Sequence, residues 1–501
     1  MTDVINIFTD AQNAPGSLSL CILGASSSQL LAGGIMLVQS SPSHSLTIRL
    51  RFERRPGALA KIATTIGEMN ALVGSIPIVK IQGNLVIRDF DIYASDENHE
   101  QRIIEALKDL PEVEVISVSD RTFQYHEGGK IEITPTKRLA GREDLSMAYT
   151  PGVGRISTAI ANNSDLAFKY TMKSNSVAIV TDGSAVLGLG NIGPLGAIPV
   201  MEGKSMLFKE FAGINAFPIC LNVSTTDEIV AVVKAISPVF AAINLEDISA
   251  PRCFEIEERL TGELDIPVFH DDQHGTSIAV LAALRNALKR VEKRLSEIRL
   301  VVSGTGAAGV ACVKTMLEAG ARHILCCDSN GALYPGRAEG MNPIKEELAL
   351  LTNPEGIQVP LKEALEGADA FIGLSAGNLL EPKDLAVMAP RAIVFALANP
   401  IPEVNPWEAL DYAQIVATGR SDFPNQINNA LVFPGIFKGA LSVRARKITR
   451  EMRLAASVAI AGLIPDDELE DQYIIPGIFN KAVCPAVAEA VANAAAFSGG
   501  L

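Results

Sequence analysis

Residues 298–309 have the sequence IRLVVSGTGAAG, in which an apolar strand pattern leads directly into a glycine-rich turn. A helical pattern follows over residues 310–319, and the next strand pattern, 323–327, ends at Asp328. In such a turn the first glycine allows a tight bend, the second lets the backbone approach a pyrophosphate, and the third lets helix and strand pack closely. The order strand, turn, helix, strand and acid predicts a Rossmann dinucleotide-binding domain in a doubly wound α/β fold.

The predicted cofactor contacts follow from this motif. Free N–H groups at the start of the helix favour the phosphates of the cofactor. The residues expected there are Gly304, Gly306, Ala307, Ala308 and Gly309. Asp328 is placed to bind the adenosine ribose hydroxyls, which favours NAD over NADP. Ser329 and Asn330 offer no cation for a 2′-phosphate, but Arg337 could provide one, so NADP remains an alternative.

A second glycine-rich stretch lacks this context. Gly188, Gly190 and Gly193 also match G-x-G-x-x-G, but the preceding strand pattern, 176–181, ends several residues earlier. Pro194 follows, and we predict a loop there, with the next helix over residues 205–211 and Lys204 at its start. Because the fingerprint needs a strand before it and a helix after it, this stretch indicates a loop that shapes a pocket.

Two acidic pairs follow successive predicted strands upstream of the fingerprint. Glu246-Asp247 follows the strand 239–245, and Asp271-Asp272 follows the strand 266–269 by one residue. Parallel strands end at the same edge of a sheet, so we expect the four carboxylates to lie together and to require a cation. Oxygen ligands favour Mg²⁺ or Mn²⁺. His270 and His274 could recruit a softer metal, but we expect them to orient the acids or line the pocket; the alternative is a set of exposed acids on loops.

The composition limits the classes of partner and compartment. The chain has 501 residues, a formal net charge of −14 and a pI near 5.1, so we expect neither a nucleic-acid partner nor an anionic membrane. Its seven cysteines form no CxxC pair, which is typical of the reduced thiols of a cytoplasmic protein.

The first residues need a separate interpretation. Residues 17–38 are apolar and long enough to raise the question of a membrane span, but Gly24, Gly33 and Gly34 interrupt them and no basic region precedes them. We therefore predict that residues 1–44 are a disordered extension, with Met36 as an alternative natural start.

Residues 45–124 have a pattern of their own. Strand and helix patterns follow in the order βαββαβ, which is typical of a ferredoxin-like domain. The turn Pro56-Gly57-Ala58-Leu59 opens the first helix. This segment resembles an ACT domain, a family in which that turn binds amino-acid-like effectors. The resemblance implies a regulatory module for a small effector, or a purely structural or dimerising one. Since such sheets often pair edge to edge, we expect a homodimer or a higher homo-oligomer.

Further strand ends carry polar residues downstream of the fingerprint. The strand patterns 370–374 and 393–397 are followed by Ser375 and Asn399, and Asn429 lies beyond a third strand, 415–417. Asparagine side chains at strand ends can donate to a carboxylate or to a nicotinamide amide, although Asn-Pro is more often a turn. The predicted domains are 125–280 for substrate and metal, 281–430 for the dinucleotide, and a helical segment, 431–501, that packs on the catalytic domain.

Several stretches together resemble the short bacterial type of malic enzyme. They are AYTPGV at 148–153, TDG at 181–183, LGLG at 187–190, GK at 203–204, NLED at 244–247, FHDDQHGT at 269–276, ANP at 398–400, NN at 428–429 and FPG at 433–435. The resemblance implies oxidative decarboxylation of L-malate to pyruvate and CO₂, with reduction of NAD(P)⁺ and dependence on a divalent metal.

The resemblance also assigns roles to residues. It implies that Glu246, Asp247 and Asp272 hold the metal, and that Lys204 takes the hydroxyl proton with help from Asp271. A lysine can act in this way only if its surroundings lower its pKa toward the working pH.

Three more roles come from the same resemblance. Tyr149 would protonate C3 as a general acid, and Asn399 and Asn429 would hold substrate carboxylate or carboxamide groups.

One departure concerns the substrate carboxylate. Longer members of the family have an arginine in the Asp-Gly turn, where this chain has Ala185. Arg155, Lys204 and the two asparagines are then the candidates. The alternatives to malate oxidation are a malolactic enzyme, in which NAD stays bound, and a nucleotide and effector sensor without turnover.

Overall fold

The computed structural model describes residues 43–497. The chain divides into two compact units, with the division between Gln124 and Tyr125. The predicted alternative start and nearly all of the predicted N-terminal extension lie outside the described residues. Among residues 43–497, no helix combines the length and the apolar character needed to cross a bilayer.

The first unit is built on an antiparallel sheet. Its elements are β1 (Ser45–Glu53), α1 (Ala58–Glu68), β2 (Leu72–Val73), β3 (Ile78–Gln82), β4 (Leu85–Tyr93), α2 (Glu97–Lys108) and β5 (Val113–Asp120), followed by α3 (Arg121–His126). The sheet order is β2-β4-β1-β5, and β3 also pairs with β4. Ile62 and Ile66 of α1 and Ile103 and Leu107 of α2 recur at helical spacing and belong to the core of the sheet. The ferredoxin-like fold is confirmed.

The second unit begins with a helical region and a parallel sheet. The elements are α4 (Arg142–Ala148), α5 (Val153–Asn162), α6 (Leu166–Tyr170), β6 (Ser176–Thr181), α7 (Gly193–Leu207), β7 (Asn215–Cys220), α8 (Thr226–Ile236), β8 (Ala242–Leu245), α9 (Arg252–Glu263), β9 (Val268–His270) and α10 (Thr276–Arg290). The strand order is β7-β6-β8-β9, with all pairs parallel. A wide helical turn, Asp271–Gly275, joins β9 to α10.

The prediction of a loop after Pro194 was wrong. The helix α7 starts at Gly193 and carries Lys204 in its last turn rather than before a new helix. Pro194 occupies the start of the helix, where the missing N–H costs nothing, and Pro199 lies inside it. The sequence analysis took Pro194 as the sign of a loop, whereas burial of Ala197 and Met201 stabilises a helix.

The dinucleotide-binding part of the second unit has its own sheet. Its elements are β10 (Arg299–Ser303), α11 (Ala307–Glu318), β11 (His323–Asp328), β12 (Gly331–Ala332), α12 (Pro343–Thr352), α13 (Leu361–Ala364), β13 (Ala370–Gly373), β14 (Ile393–Ala396), α14 (Pro406–Ala409) and β15 (Ile415–Thr418). The strand order β12-β11-β10-β13-β14-β15 reverses direction at β10, and only β12 is antiparallel among them. The predicted Rossmann fold is confirmed, with the glycine-rich turn at the point where ligands bind such sheets.

Three helices complete the described chain: α15 (Phe433–Ser442), α16 (Arg450–Ala461) and α17 (Val483–Phe497). The ring of Phe433 lies 4.6 Å from that of Phe208, just after α7. The buried Asn286 of α10 donates to the carbonyls of Ala461 and Ile474. These contacts tie the C-terminal helices to the elements that carry the acidic strand ends.

Candidate active site

The two acidic pairs meet at one edge of the parallel sheet. Leu245 of β8 is in register with His270 of β9, so the residues after each strand emerge side by side. The backbone N–H of Asp247 donates to Oδ2 of Asp272 at 2.8 Å. One carboxylate oxygen each of Glu246, Asp247 and Asp272 lie within 4.8 Å of one another.

These three carboxylates fit a divalent cation. Oδ2 of Asp247 is buried and has no hydrogen-bond partner among the described residues. An ionised oxygen without a partner is costly inside a protein, and a cation would satisfy it. The donor set is all oxygen, which suits Mg²⁺ or Mn²⁺.

Lys204 of α7 lies against this cluster. Its Nζ donates to Oε1 of Glu246 at 2.5 Å and to Oδ2 of Asp271, and it lies 4.6 Å from the centroid of the Phe433 ring. The lysine and Asp271 are almost completely buried. Burial opposes the charge, but the carboxylates of Asp271 and Glu246 outweigh it and raise the pKa of Lys204 above its usual range. Lys204 therefore carries a positive charge.

The acids have shifted pKa values for the opposite reason. Burial is the largest cause for both Asp247 and Asp271, and neighbouring carboxylates add to it. The pKa of Asp247 is raised to about 9 and that of Asp271 to about 8. Lys204 lowers the pKa of Asp271, but burial and the neighbouring carboxylates raise it by more. The pKa values of Asp247 and Asp271 therefore lie well above the usual range of an aspartate.

The wide turn leaves no room around Asp271. A Cβ atom at Gly275 would lie 1.8 Å from Oδ1 of Asp271 and 3.1 Å from Cβ of Asn429. Asn429 thus lies beside the turn that carries Asp271, as the predicted substrate role requires of its position.

Glu257 of α9 was missed by sequence reasoning. Its carboxylate accepts hydrogen bonds from the backbone N–H of His270 at 2.9 Å and from Nε2 of Gln273 at 3.1 Å, and it lies 3.0 Å from Nε2 of His274. A signal was available, because Glu257 stands one helical turn after the buried Cys253 and before the buried Leu260. An acid at that spacing faces the interior.

The ring of His270 is buried in the same region. Neither of its ring nitrogens has a partner among the described residues, and Nδ1 lies 3.6 Å from Oδ2 of Asp272. Burial lowers the pKa of His270 to about 4, so its ring is neutral. The predicted orienting role for His274 fits its contact with Glu257.

The upstream glycine-rich loop lines the same region. A Cβ at Gly188 would lie 2.6 Å from the carbonyl oxygen of Asn399, and Ala185 donates its N–H to the carbonyl of Asp247. This loop therefore connects the acidic edge with the predicted Asn399 subsite.

Arg252 is a second group that the sequence did not reveal. Its Nη2 pairs with Oδ2 of Asp182, Nη1 donates to the carbonyl of Ser224, and Nε donates to Oγ of Ser249. Each of its three nitrogens makes one contact, so Arg252 braces the Asp-Gly turn. Arg155, the arginine considered from sequence, is exposed on α5.

The glycine-rich turn after β10 has the geometry of a phosphate site. A Cβ at Gly304 would lie 2.4 Å from the carbonyl of Leu374, and one at Gly309 would lie 1.9 Å from the carbonyl of Gly304. Gly306, by contrast, faces open space and precedes the first residue of α11. Ser375 lies across the turn, with its Oγ 3.1 Å from that of Ser303.

Asp328 has more partners than expected. It accepts from Nη1 of Arg337 at 2.8 Å and from the N–H of Asn330 at 2.9 Å on Oδ1. On Oδ2 it accepts from Nη2 of Arg337 and from Nζ of Lys345 at 2.7 Å. Burial alone would raise its pKa, but Arg337 and Lys345 lower the pKa of Asp328 to about 2. Sequence reasoning considered Arg337 and missed Lys345.

The helix of the cofactor turn packs against the acidic turn. The segment Asp271–Gly275 contacts α11, and Thr315 of α11 donates to Oγ of Ser277 at 3.0 Å. A dinucleotide on α11 and a metal on the acids would therefore occupy neighbouring sites.

Of the three predicted catalytic residues, Tyr149 is the one that does not lie in the buried cluster of Lys204 and the acids. It follows α4, its side chain is 69% exposed, and its described hydrogen bonds are made by its backbone. No described hydrogen bond joins it to the buried lysine or the acids.

Family models and known proteins match most of the chain. Family models for the malic enzyme N-terminal domain match residues 128–228 and 223–261, one for the malic enzyme NAD binding domain matches 273–496, and one for the ACT domain matches 41–117. An NAD-dependent malic enzyme of Geobacillus stearothermophilus is 52% identical over 460 residues, which cover 92% of this chain and 96% of the relative. A bifunctional malic/malolactic enzyme of Bacillus subtilis is 53% identical and covers 77% of this chain and 94% of the relative. A crystal structure of an NAD-dependent malic enzyme from Thermotoga maritima, 49% identical, superposes with a TM-score of 0.72 and covers 75% of this chain and 99% of that one.

Proposed function

The chain belongs to the malic enzyme family, and on that premise we propose that it oxidises and decarboxylates L-malate to pyruvate and CO₂ while reducing NAD(P)⁺. The observation that supports the proposal most directly is the position of Lys204, which contacts both Glu246 of the metal set and Asp271. A base, a cation site and a dinucleotide turn on neighbouring elements are what this reaction requires.

The proposed metal ligands are Glu246, Asp247 and Asp272, with Mg²⁺ or Mn²⁺ as the ion. When bound, the ion would act as a Lewis acid on the oxygens of malate. The residues of the chain prepare this site through the bond between Asp247 and Asp272, which fixes the spacing of two of the three carboxylates.

Lys204 is proposed to take the proton of the malate hydroxyl as hydride leaves C2 for the nicotinamide. The carboxylates around it favour its protonated form. A divalent cation held by these acids would compensate their charge, which would lower the pKa of Lys204 toward the working range. Asp271, the partner of Lys204 outside the metal set, is the proposed relay for the proton.

The proton balance closes with Tyr149. Loss of the C4 carboxylate as CO₂ leaves a carbanionic C3, and Tyr149 is proposed to donate one proton there. Lys204 has gained one proton from the hydroxyl, and transfer of that proton to Tyr149 would restore both residues. Malate and NAD(P)⁺ then give pyruvate, CO₂ and NAD(P)H without net proton release.

We further propose that Tyr149 acts in the site of a second copy of the chain. The helices α4, α5 and α6 bury no residue within one chain. The apolar side chains exposed around Tyr149 are Leu145, Met147, Val153 and Ile156. An apolar face of this kind is typical of an interface, and a two-fold dimer would bring each face to the other subunit.

The cofactor and substrate contacts complete the proposal. Gly304, Gly306, Ala307, Ala308 and Gly309 would bind the pyrophosphate, with Ser375 and Asp328 nearby. Asn399 and Asn429 are the proposed partners of the substrate carboxylates or the carboxamide.

The bifunctional relative keeps malolactic activity as a second candidate, in which malate becomes lactate and NAD stays bound. Initial rates with malate, Mn²⁺ and NAD or NADP test both. Net formation of reduced nicotinamide equal to pyruvate supports the proposal; lactate without net reduced nicotinamide would favour the alternative.

The remaining parts of the proposal concern the effector of the ACT domain, the cellular compartment and the bounds of the domains. An amino-acid-like effector is proposed for the ACT domain, where Arg55, Pro56, Leu59 and Arg88 line a cavity of about 310 Å³. The cytoplasm is the proposed compartment. The proposed domains are 45–124 for regulation, 125–280 for substrate and metal, 281–430 for the dinucleotide, and 431–501 as a helical segment.

A further inference from the structure

The turn that carries Asp271 and Asp272 is held from outside by one side chain. Glu257 lies on α9, and its carboxylate is largely buried. Oε1 accepts the N–H of His270, on the N-terminal side of the two aspartates. Oε2 accepts a hydrogen bond from Nε2 of Gln273 and lies within hydrogen-bond distance of Nε2 of His274, both on the C-terminal side of the aspartates. Glu257 therefore contacts the residue before the aspartate pair and the two residues after it.

These contacts restrict the directions of both aspartates. Asp271 must point at Lys204 and Asp272 at the N–H of Asp247, although the two residues are adjacent in the chain. A wide helical turn of this kind is rare and is found mostly at functional sites. The polar side chains after Asp272 in the turn, Gln273 and His274, both turn to Glu257.

The chemistry of this contact is unusual for a purely structural brace. Glu257 adds a carboxylate next to a region that already contains four, which raises the electrostatic cost of the cluster. A neutral amide could hold at most part of the same bonds, because an amide offers one acceptor oxygen and its nitrogen is a donor. Three donors require the two acceptor oxygens of a carboxylate.

We propose that Glu257 is a positioning residue that sets the turn Asp271–Gly275 so that Asp272 joins Glu246 and Asp247 as a ready-made site for a divalent cation. The inference rests on the proposed metal-dependent function. Outer partners of metal ligands affect affinity by roughly 10- to 100-fold, because they fix the orientation of the ligands.

The test compares Glu257→Gln with Glu258→Gln, which makes the same chemical change at the next, exposed position of α9. Mn²⁺ binding is followed by electron paramagnetic resonance without substrate, and NADH binding by fluorescence. We expect Glu257→Gln to raise the Kd for Mn²⁺ about tenfold or more, with NADH binding within about twofold and kcat recovering at saturating Mn²⁺. Glu258→Gln should match the wild type.

The outcomes separate this inference from the proposed function. If Asp272→Asn abolishes Mn²⁺ binding while Glu257→Gln leaves it within about twofold, the metal site stands and the role of Glu257 is refuted. Equal losses of Mn²⁺ and NADH binding in Glu257→Gln would mean that Glu257 only supports the fold. That result would also refute its role in positioning the metal site. A wild-type protein that binds no Mn²⁺ would refute both proposals. Glu257→Leu, which removes every acceptor, should be more severe than Glu257→Gln.

Discussion

The backbone N–H of Asp247 donates to the carboxylate of Asp272 across the ends of two neighbouring strands. Asp247 adopts a left-handed backbone conformation with φ of 53°, which is uncommon for a residue other than glycine. This bond brings two acids into contact where mutual repulsion would separate them. A bound cation would offset the charge repulsion and the backbone strain of this arrangement.

The first prediction concerns pH. In the metal-free protein the pKa of Asp247 is raised to about 9 and that of Asp271 to about 8, against about 3.9 in an unfolded chain. The folded state therefore binds more protons between these values, and its stability falls as pH rises from about 5 to about 8. Mg²⁺ binds the deprotonated acids, so its stabilisation should grow over the same range, to about 2.7 kcal/mol at 100 times its Kd. Thermal unfolding of the second unit with EDTA or excess Mg²⁺ measures this; a Mg²⁺ effect independent of pH would contradict it.

The second prediction removes one metal ligand. Asp272→Asn should lower malate oxidation by more than about 100-fold, beyond the usual effect of outer-shell changes, and should abolish Mn²⁺ binding. NADH binding should remain, because α11 and the glycine-rich turn are intact. Asp265→Asn, at a fully exposed aspartate, is the matched control and should be neutral. Unchanged turnover in Asp272→Asn would refute the metal assignment.

The third prediction uses the lack of space at Gly275. A Cβ there would lie 1.8 Å from Oδ1 of Asp271, so Gly275→Ala must displace the aspartate from Lys204. We expect kcat to fall about 100-fold, as for other misplaced catalytic groups. Gly262→Ala on α9 meets nothing within 4 Å and should retain full activity with equal or higher thermal stability. Equal kcat values for the two variants would argue against a role for Asp271 in proton transfer.

The fourth prediction concerns the adenosine ribose. Four donors reach Asp328, which matches the four acceptor sites of a carboxylate. The acid is thus neutralised by two cations, and a 2′-phosphate is not repelled. Lys345→Gln should lower kcat/KM for NADP about tenfold, the loss of one charge-assisted contact, with NAD changed much less. Lys362→Gln, at an exposed lysine of α13, is the control; equal losses with both cofactors would contradict this role.

The sequence predicted the site wherever strand order alone determines position. Parallel strands must end at one edge, so Glu246, Asp247 and Asp272 could be placed together from the apolar runs before them. The turn from Gly304 to Gly309 was identified in the same way, because its glycines are required by close backbone contacts that the structure contains.

The contacts that the sequence analysis missed depend on the orientation of side chains. Glu257 and Lys345 lie on amphipathic helices, where a charged residue beside the apolar face can point to solvent or inward. Lys204 was assigned to the wrong part of a helix because Pro194 suggested a loop. Packing of Met201 and Phe208 decides that helix, and packing partners distant in the chain cannot be inferred from local patterns.

The last prediction concerns Tyr149, whose exposed side chain lies on an uncovered apolar face. Tyr149→Phe should block malate decarboxylation more than reduction of a 2-keto acid by NADH, since only the former needs a proton at C3. If Tyr149 serves the partner's site, a purified mixed dimer of Tyr149→Phe and Asp272→Asn subunits, carrying different tags, contains one site with an intact metal set and an intact tyrosine. It should regain roughly half of the wild-type activity, because one of two equivalent sites works. A mixed dimer of Lys204→Met and Asp272→Asn subunits is the control and should stay inactive, since both residues belong to one subunit's cluster. An inactive Tyr149→Phe and Asp272→Asn dimer would mean that the tyrosine acts within its own chain, and that the face formed by α4 to α6 has another occupant.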